Sequence, residues 1–126
     1  RGLPAEVIRV ERRLALLRAA LLVATDRAAM LRQIGRARPA IGLQLHTHLA
    51  ETIEEDAYCR ELYGCNPVEY LERVGWIDGD VWCAHCVHLS GDDVAAFASA
   101  GVGVAHCPTS NLRLGAGVAP VRELLA

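Results

Sequence analysis

The sequence predicts an α/β fold built on parallel strands, and three observations carry that prediction. Short apolar runs with strand character fall at 43–48, 81–85 and 102–106, and segments carrying helix start and stop signals separate them. Strands alternating with helices at this spacing pair in parallel through right-handed crossovers. Each run ends in a histidine, which is the edge where parallel α/β folds place their sites. With 126 residues, 52% hydrophobic and 22% charged, the chain has enough apolar surface for one small core.

The elements come in a clear order. Residues 5–32 are rich in helix formers, and Ile8, Leu14, Leu17, Leu21 and Leu22 form a rough helical stripe into which arginines intrude. The first strand, 43–48, precedes a helix over 54–63. Asn66, Pro67 and Glu69 then supply an N-cap, a first-turn proline and a capping-box carboxylate, so a further helix starts there and runs to about Val74, with Gly75 as its stop. After the strand at 81–85, Ser90 and Asp93 cap a helix over 94–100 that ends at Gly101, a residue suited to the left-handed stop. The third strand, 102–106, leads into a loop at 107–117 and through Pro120 into a final short helix. The expected division is a helical, Arg-rich segment at 1–41 and an α/β domain at 42–126.

Composition excludes several classes of function. The net charge of −2 conceals an asymmetry: residues 1–40 hold nine of the 13 basic and three of the 15 acidic groups, a balance of +6, against −8 for the remainder. Every basic residue is arginine. The basic segment lacks aromatics for base stacking, which argues against a nucleic-acid binder. The longest nearly apolar run, 15–23, is interrupted by Arg18 and falls short of the roughly 20 residues that cross a bilayer. No N-terminal stretch has the pattern of a secretory signal, and five irregularly spaced cysteines do not form a disulfide framework. A soluble, cytoplasmic protein is expected.

The chemistry is expected at His48, His85 and His106, one at each strand end. Any single histidine there reads most simply as a core or loop residue bonded to backbone; three at equivalent positions point to a metal or an acid-base site. His46 lies two before His48 and so points to the same side of the strand. Glu51, just past the first strand, stands where a carboxylate can shuttle protons, although alone it reads as a solvated glutamate like Glu54 and Glu55. Cys83 and Cys86 with His85 and His88 use a zinc-ligand vocabulary, but no second paired-cysteine motif completes a four-ligand site, so both cysteines read as core, with a redox or structural-zinc role as the weaker alternative for Cys86. The segment Pro108-Thr109-Ser110-Asn111 reads as a turn whose side chains bond the backbone.

Three stretches, LHTHLAET (45–52), AHCVHL (84–89) and HCPTSNLRLGAG (106–117), resemble the amidohydrolase superfamily, in its deaminase and chlorohydrolase branch and, within that, the 8-oxoguanine deaminase group. The resemblance runs over 42–126. It implies a partial (β/α)8 barrel, strands five to seven with their helices, and a hydrolase that deaminates a purine-type base with water activated by Zn2+ or another divalent metal such as Fe2+. By the same resemblance His48 is the metal ligand after strand five and Glu51 the acid-base carboxylate. His85 is the histidine that polarises the attacking water, and His106 lines the substrate pocket. The implied partner is a small nucleobase or related heterocycle, with neither nucleic acid nor membrane.

The chain also departs from that family. A His-x-His pair on a first strand and an aspartate after an eighth are absent, and a barrel of about 250 residues is twice this length. Ahead of LHTHLAE the family has a strand, a helix and a proline-rich loop, where 30–40, MLRQIGRARPA, stands as a compressed or unrelated substitute; Gly2-Leu3-Pro4 is similar to the family's entry into that region. The change of character between residues 10 and 39 leads to the expectation of a frame shift, a deletion or a gene remnant. It also leads to the expectation of an incomplete site in a chain prone to homo-oligomerise. The competing functions are a guanine- or adenosine-type deaminase, a triazine chlorohydrolase, and a catalytically inactive fragment or interaction module.

Overall fold

A computed structural model of the chain describes residues 27–126. Two units divide it, Arg1–Leu43 and Gln44–Ala126. In the first, helix α1 spans Arg27–Ile41 and contains Pro39. A proline cannot donate to the carbonyl four residues back, here that of Gly35. Arg38 meets that need, since its Nη1 donates to Gly35 O at 3.3 Å from a side chain that is 4% exposed. The turn closes through Leu43 N–H to Arg38 O and Gly42 N–H to Pro39 O. Most of the helix expected over 5–32, with its stripe from Ile8 to Leu22, lies outside the described residues. The helix that is described continues past residue 32 to Ile41 and takes in the whole of 30–40.

The second unit alternates strands and helices: β1 Leu45–Leu49, α2 Ile53–Tyr63, α3 Pro67–Arg73, β2 Val81–His85, α4 Gly91–Ala100, β3 Gly103–Ala105, α5 Pro108–Leu114 and α6 Val121–Leu124. The strands form one parallel sheet in the order β1-β2-β3, with Leu45 opposite Val81, His48 opposite Ala84, and Ala84 in turn opposite Ala105. Sequence order equals spatial order, as successive crossovers of one hand require.

Side chains alternate across a strand, and burial tracks that alternation up to the end of β2, where Cys83, Ala84 and His85 are all buried. Leu45, Leu49, Val81 and Cys83 are buried, whereas His46, His48 and Trp82 are exposed. One face of the sheet is therefore packed and the other open. Val68, Leu71, Val74 and Phe97, from or beside the helices, complete the core.

Helix boundaries match the capping chemistry. Asn66 accepts from Glu69 N–H and its own N–H donates to the Glu69 carboxylate, a closed capping box with Pro67 in the first turn. Ser90 and Asp93 repeat the arrangement at α4, and Gly101 ends that helix at φ 74°. The two boxes are joined: Asn66 Nδ2 donates to Asp93 Oδ1 at 3.1 Å, so one buried aspartate caps its own helix and anchors the start of another.

Two expectations need correction. The stretch 107–117 is not a loop: α5 occupies Pro108–Leu114, with Pro108 in the first turn and Gly115 at φ 67° as its left-handed stop. The same residues that favour turns also start helices, and here the helix seats Asn111 in the core at 0% exposure. The third strand is also shorter than 102–106, so His106 lies one residue beyond it. Among the described residues no helix is long and apolar enough to cross a membrane.

The joined caps lead to a stability prediction. Asn66→Ala and Asp93→Ala should each cost about 1–2 kcal/mol in urea unfolding, and the double variant should fall short of their sum by at least about 0.5 kcal/mol, because the two residues share one hydrogen bond; strict additivity would mean that the bridge contributes nothing. A second prediction concerns the thiols. Cys59, Cys65, Cys83 and Cys86 are buried and Cys107 is partly exposed, all without disulfides. Hydrogen bonding to Cys83 and burial push the Cys86 thiol up. A thiol-disulfide reagent at neutral pH should titrate one fast cysteine in the native chain, lost in Cys107→Ser, and the other four only after denaturation.

Candidate active site

The chain leaves β1 and β2 in the same unusual way. Ala50 has φ 49°, His85 φ 71° and Cys86 φ 50°, left-handed values that cost a non-glycine residue on the order of 1–3 kcal/mol. Backbone hydrogen bonds hold them there: Cys86 N–H to Leu49 O and Val87 N–H to Ala50 O, both 2.9 Å, and His88 N–H to Ala50 O at 3.0 Å. Parallel pairing thus continues past the strand ends and fixes the residues just after β1 against those just after β2.

Glu51 comes next after Ala50, and its N–H donates to Glu55 Oε2 at 2.9 Å from the first turn of α2. Its carboxylate Oε1 lies 3.2 Å from His85 Nδ1. The same Nδ1 is 2.7 Å from Asn111 Oδ1. Two oxygen acceptors facing one ring nitrogen require that this nitrogen carries the proton. In a neutral ring Nε2 then keeps the lone pair. His85 is 5% exposed, and the Glu51 side chain is 23% exposed, so the pair reaches from the core to the rim.

His48 stands beside this pair, its ring centroid 5.1 Å from that of His85 and tilted by 33°. His46 lies on the same side of β1, with its ring 5.5 Å from that of His48. It is otherwise engaged: it stacks on Trp82 at 3.7 Å, and its Nδ1 donates to Trp82 O at 3.2 Å. His88 Nε2 donates to Ala116 O at 3.0 Å and ties the loop after β2 to the end of α5. His106 sits apart. It is exposed and lines an apolar hollow of about 270 Å³ with Val94, Phe97, Val104, Val121 and Leu124.

Of the four residues expected at the site, the structure brings His48, Glu51 and His85 within ring or ion-pair distance of one another, and His106, one residue past β3, lines the apolar hollow. Sequence reasoning missed Asn111. A helix signal was present in Pro108 with Gly115 seven residues on, and recognising it would have taken Asn111 out of the turn.

A metal needs several converging donors, typically three protein ligands in a catalytic zinc site. Among the described residues no group of three or more His, Cys, Asp or Glu is placed to hold one, and residues 1–26 contain neither His nor Cys. His48 has the chemistry of one ligand. The donors present do not by themselves fit a closed cation site.

Comparisons with known proteins agree with the geometry. The amidohydrolase family profile matches residues 16–126, so the likeness begins well ahead of the motif-bearing stretch from 42. The chain is 43% identical over 84 residues to an 8-oxoguanine deaminase of Pseudomonas aeruginosa, covering 67% of this chain and 19% of that protein. It is 46% identical over 96 residues to a 5-methylthioadenosine/S-adenosylhomocysteine deaminase of Moorella thermoacetica, covering 76% and 22%. In structure it is similar to an atrazine chlorohydrolase of Arthrobacter aurescens complexed with zinc, with a TM-score of 0.75, 35% identity and coverage of 79% of this chain and 22% of that one. The chain spans about a fifth of the length of the curated relatives it matches. Three consecutive parallel strands with intervening helices are a portion of a barrel-type (β/α) fold. On the family match over residues 16–126 the chain belongs to the amidohydrolase family.

Proposed function

We propose that residues 42–126 supply strands five to seven of a (β/α)8 barrel and that the site serves hydrolytic deamination of a purine-type heterocycle. One observation supports this above the rest: a carboxylate and an imidazole from the ends of adjacent parallel strands lie 3.2 Å apart with the imidazole tautomer fixed. Five unpaired cysteines fit a reducing, cytoplasmic setting.

In hydrolytic deamination a C–O bond forms to water, the exocyclic C–N bond breaks, and ammonia leaves. Glu51 is assigned the proton traffic: it takes a proton from water and gives it to the ring nitrogen beside the attacked carbon, then takes the remaining proton from the newly formed C–OH and gives it to the departing amine. His85 is assigned the polarisation of the attacking water through Nε2, which its engaged Nδ1 leaves available. Burial of its ring strengthens that interaction. A divalent cation, Zn2+ or Fe2+, lowers the pKa of water when bound. His48 is the candidate ligand, in a site whose remaining donors the described residues do not provide. His106, exposed on another hollow, is assigned at most an outer contact to substrate.

Among substrates, 8-oxoguanine is preferred on the identity to the Pseudomonas aeruginosa enzyme. The structural likeness to an atrazine chlorohydrolase supports a second reading, in which chloride rather than ammonia departs.

The test is a chimera in which this segment replaces the matching 84 residues of the Pseudomonas aeruginosa deaminase. The chimera should release ammonia from 8-oxoguanine; chloride release from atrazine with no ammonia would favour the second reading. Within it Glu51→Gln should abolish turnover with bound metal unchanged, and His48→Ala should lose both metal and rate. His85→Asn should keep metal and lose about 10²-fold or more in kcat. Equal metal and near parental rates in all three variants would refute the assignments. On its own the 126-residue chain should retain no zinc after gel filtration and release no ammonia, because it assembles no three-donor site among the described residues.

A further inference from the structure

The amide of Asn111 is buried at a cost. Its side chain is 0% exposed, and its Nδ2 has no hydrogen-bond partner among the described residues. An unmet buried donor is destabilising, and an apolar side chain of similar shape would avoid that cost. The carboxamide does only one thing with its polar atoms: Oδ1 accepts the Nδ1–H of His85 at 2.7 Å, closer than Glu51 Oε1 at 3.2 Å.

With a carboxylate oxygen of Glu51 also 3.2 Å from Nδ1, an Nδ1–H facing Asn111 Oδ1 is the arrangement that suits both neighbours. The backbone of Asn111 is held as firmly: its N–H donates to Cys107 O at 3.0 Å, and its carbonyl accepts from Ala116 N–H at 2.9 Å and from the Gly115 cap. The α5 helix, which comes after β3, therefore presents a fixed acceptor to the histidine that ends β2.

We propose that Asn111 is a positioning residue for His85, holding its neutral imidazole as the Nδ1–H tautomer with the Nε2 lone pair directed to the reacting water. The inference rests on the role assigned to His85 above and deepens it. Glu51 is then relieved of orienting the ring and keeps its carboxylate for proton transfer, because the shorter bond already fixes the tautomer.

The test is the tautomer itself, read from the ring 15N shifts of His85 in the 126-residue chain at about pH 8.5, where an ordinary imidazole is neutral. The wild-type chain should show Nδ1–H and a bare Nε2. Asn111→Leu should move the ring toward the Nε2–H form or into exchange between the two, whereas Asn111→Asp, which keeps an acceptor, should restore Nδ1–H. That rescue separates positioning from mere packing. An Nε2–H ring in the wild type overturns the inference, and so does an unchanged Nδ1–H ring in Asn111→Leu, since Glu51 alone would then suffice. If Asn111→Leu does not fold, the wild-type and Asn111→Asp spectra still decide. The measurement needs no turnover, so failure of the deaminase reading in the chimera leaves it untouched, and its own failure leaves that reading standing.

Discussion

The arrangement of this molecule depends on the backbone lock between the ends of β1 and β2. Parallel strands bring side chains to a common edge but do not by themselves fix the path of the chain beyond that edge. Here Cys86 N–H reaches back to Leu49 O, and the amides of Val87 and His88 converge on Ala50 O. Those bonds can form only because Ala50, His85 and Cys86 adopt left-handed backbone, turning the chain sharply at the rim. Glu51 and His85 are then neighbours by construction of the main chain, and Asn111 adds the third point from the helix after β3.

Strain of this kind needs support from its surroundings. Ala50, His85 and Cys86 are all among the most buried residues, so the packing that over-determines them is the core itself. The helices are secured by their own chemistry, through two capping boxes bridged by Asn66 and Asp93, which holds their first turns in register behind the sheet. The rim is thus fixed from the packed side, while the opposite face, with His46, His48 and Trp82, stays open. An open face lined by imidazoles and an indole is where a (β/α) barrel would place its interior layers. The same openness explains why cation donors do not close around His48 among the described residues.

Much of this was legible in the sequence because the signals are local. β2 occurs where its apolar run ends in His85, and the helices starting after Asn66 and Ser90 begin where a cap and a carboxylate three residues on satisfy the first amides. The pairing of His48, Glu51 and His85 was legible as well, through motifs whose spacing reflects strand ends on one edge. Local signals failed where one residue set serves two structures. Pro108, Thr109, Ser110 and Asn111 suit a turn and a helix start alike, and what marks the helix is Gly115, the left-handed stop seven residues past Pro108. The third strand stopped short for a related reason: pairing with β2 ends at Ala105, leaving His106 outside the sheet whatever its propensity.

The sequence alone thus determined the alternation of elements, their caps, the parallel sense of the sheet and the identity of the chemical groups at its edge, since each depends on residues within a few positions of one another. Tertiary structure decided which of those groups meet. His106 and His48 occupy similar places in the text, yet one faces an apolar hollow and the other the Glu51–His85 pair. Asn111, 26 residues from His85, became its nearest partner. The physical reason is that a hydrogen bond of 2.7 Å between distant residues is set by the packing of a helix against a strand end, a distance that no local pattern encodes.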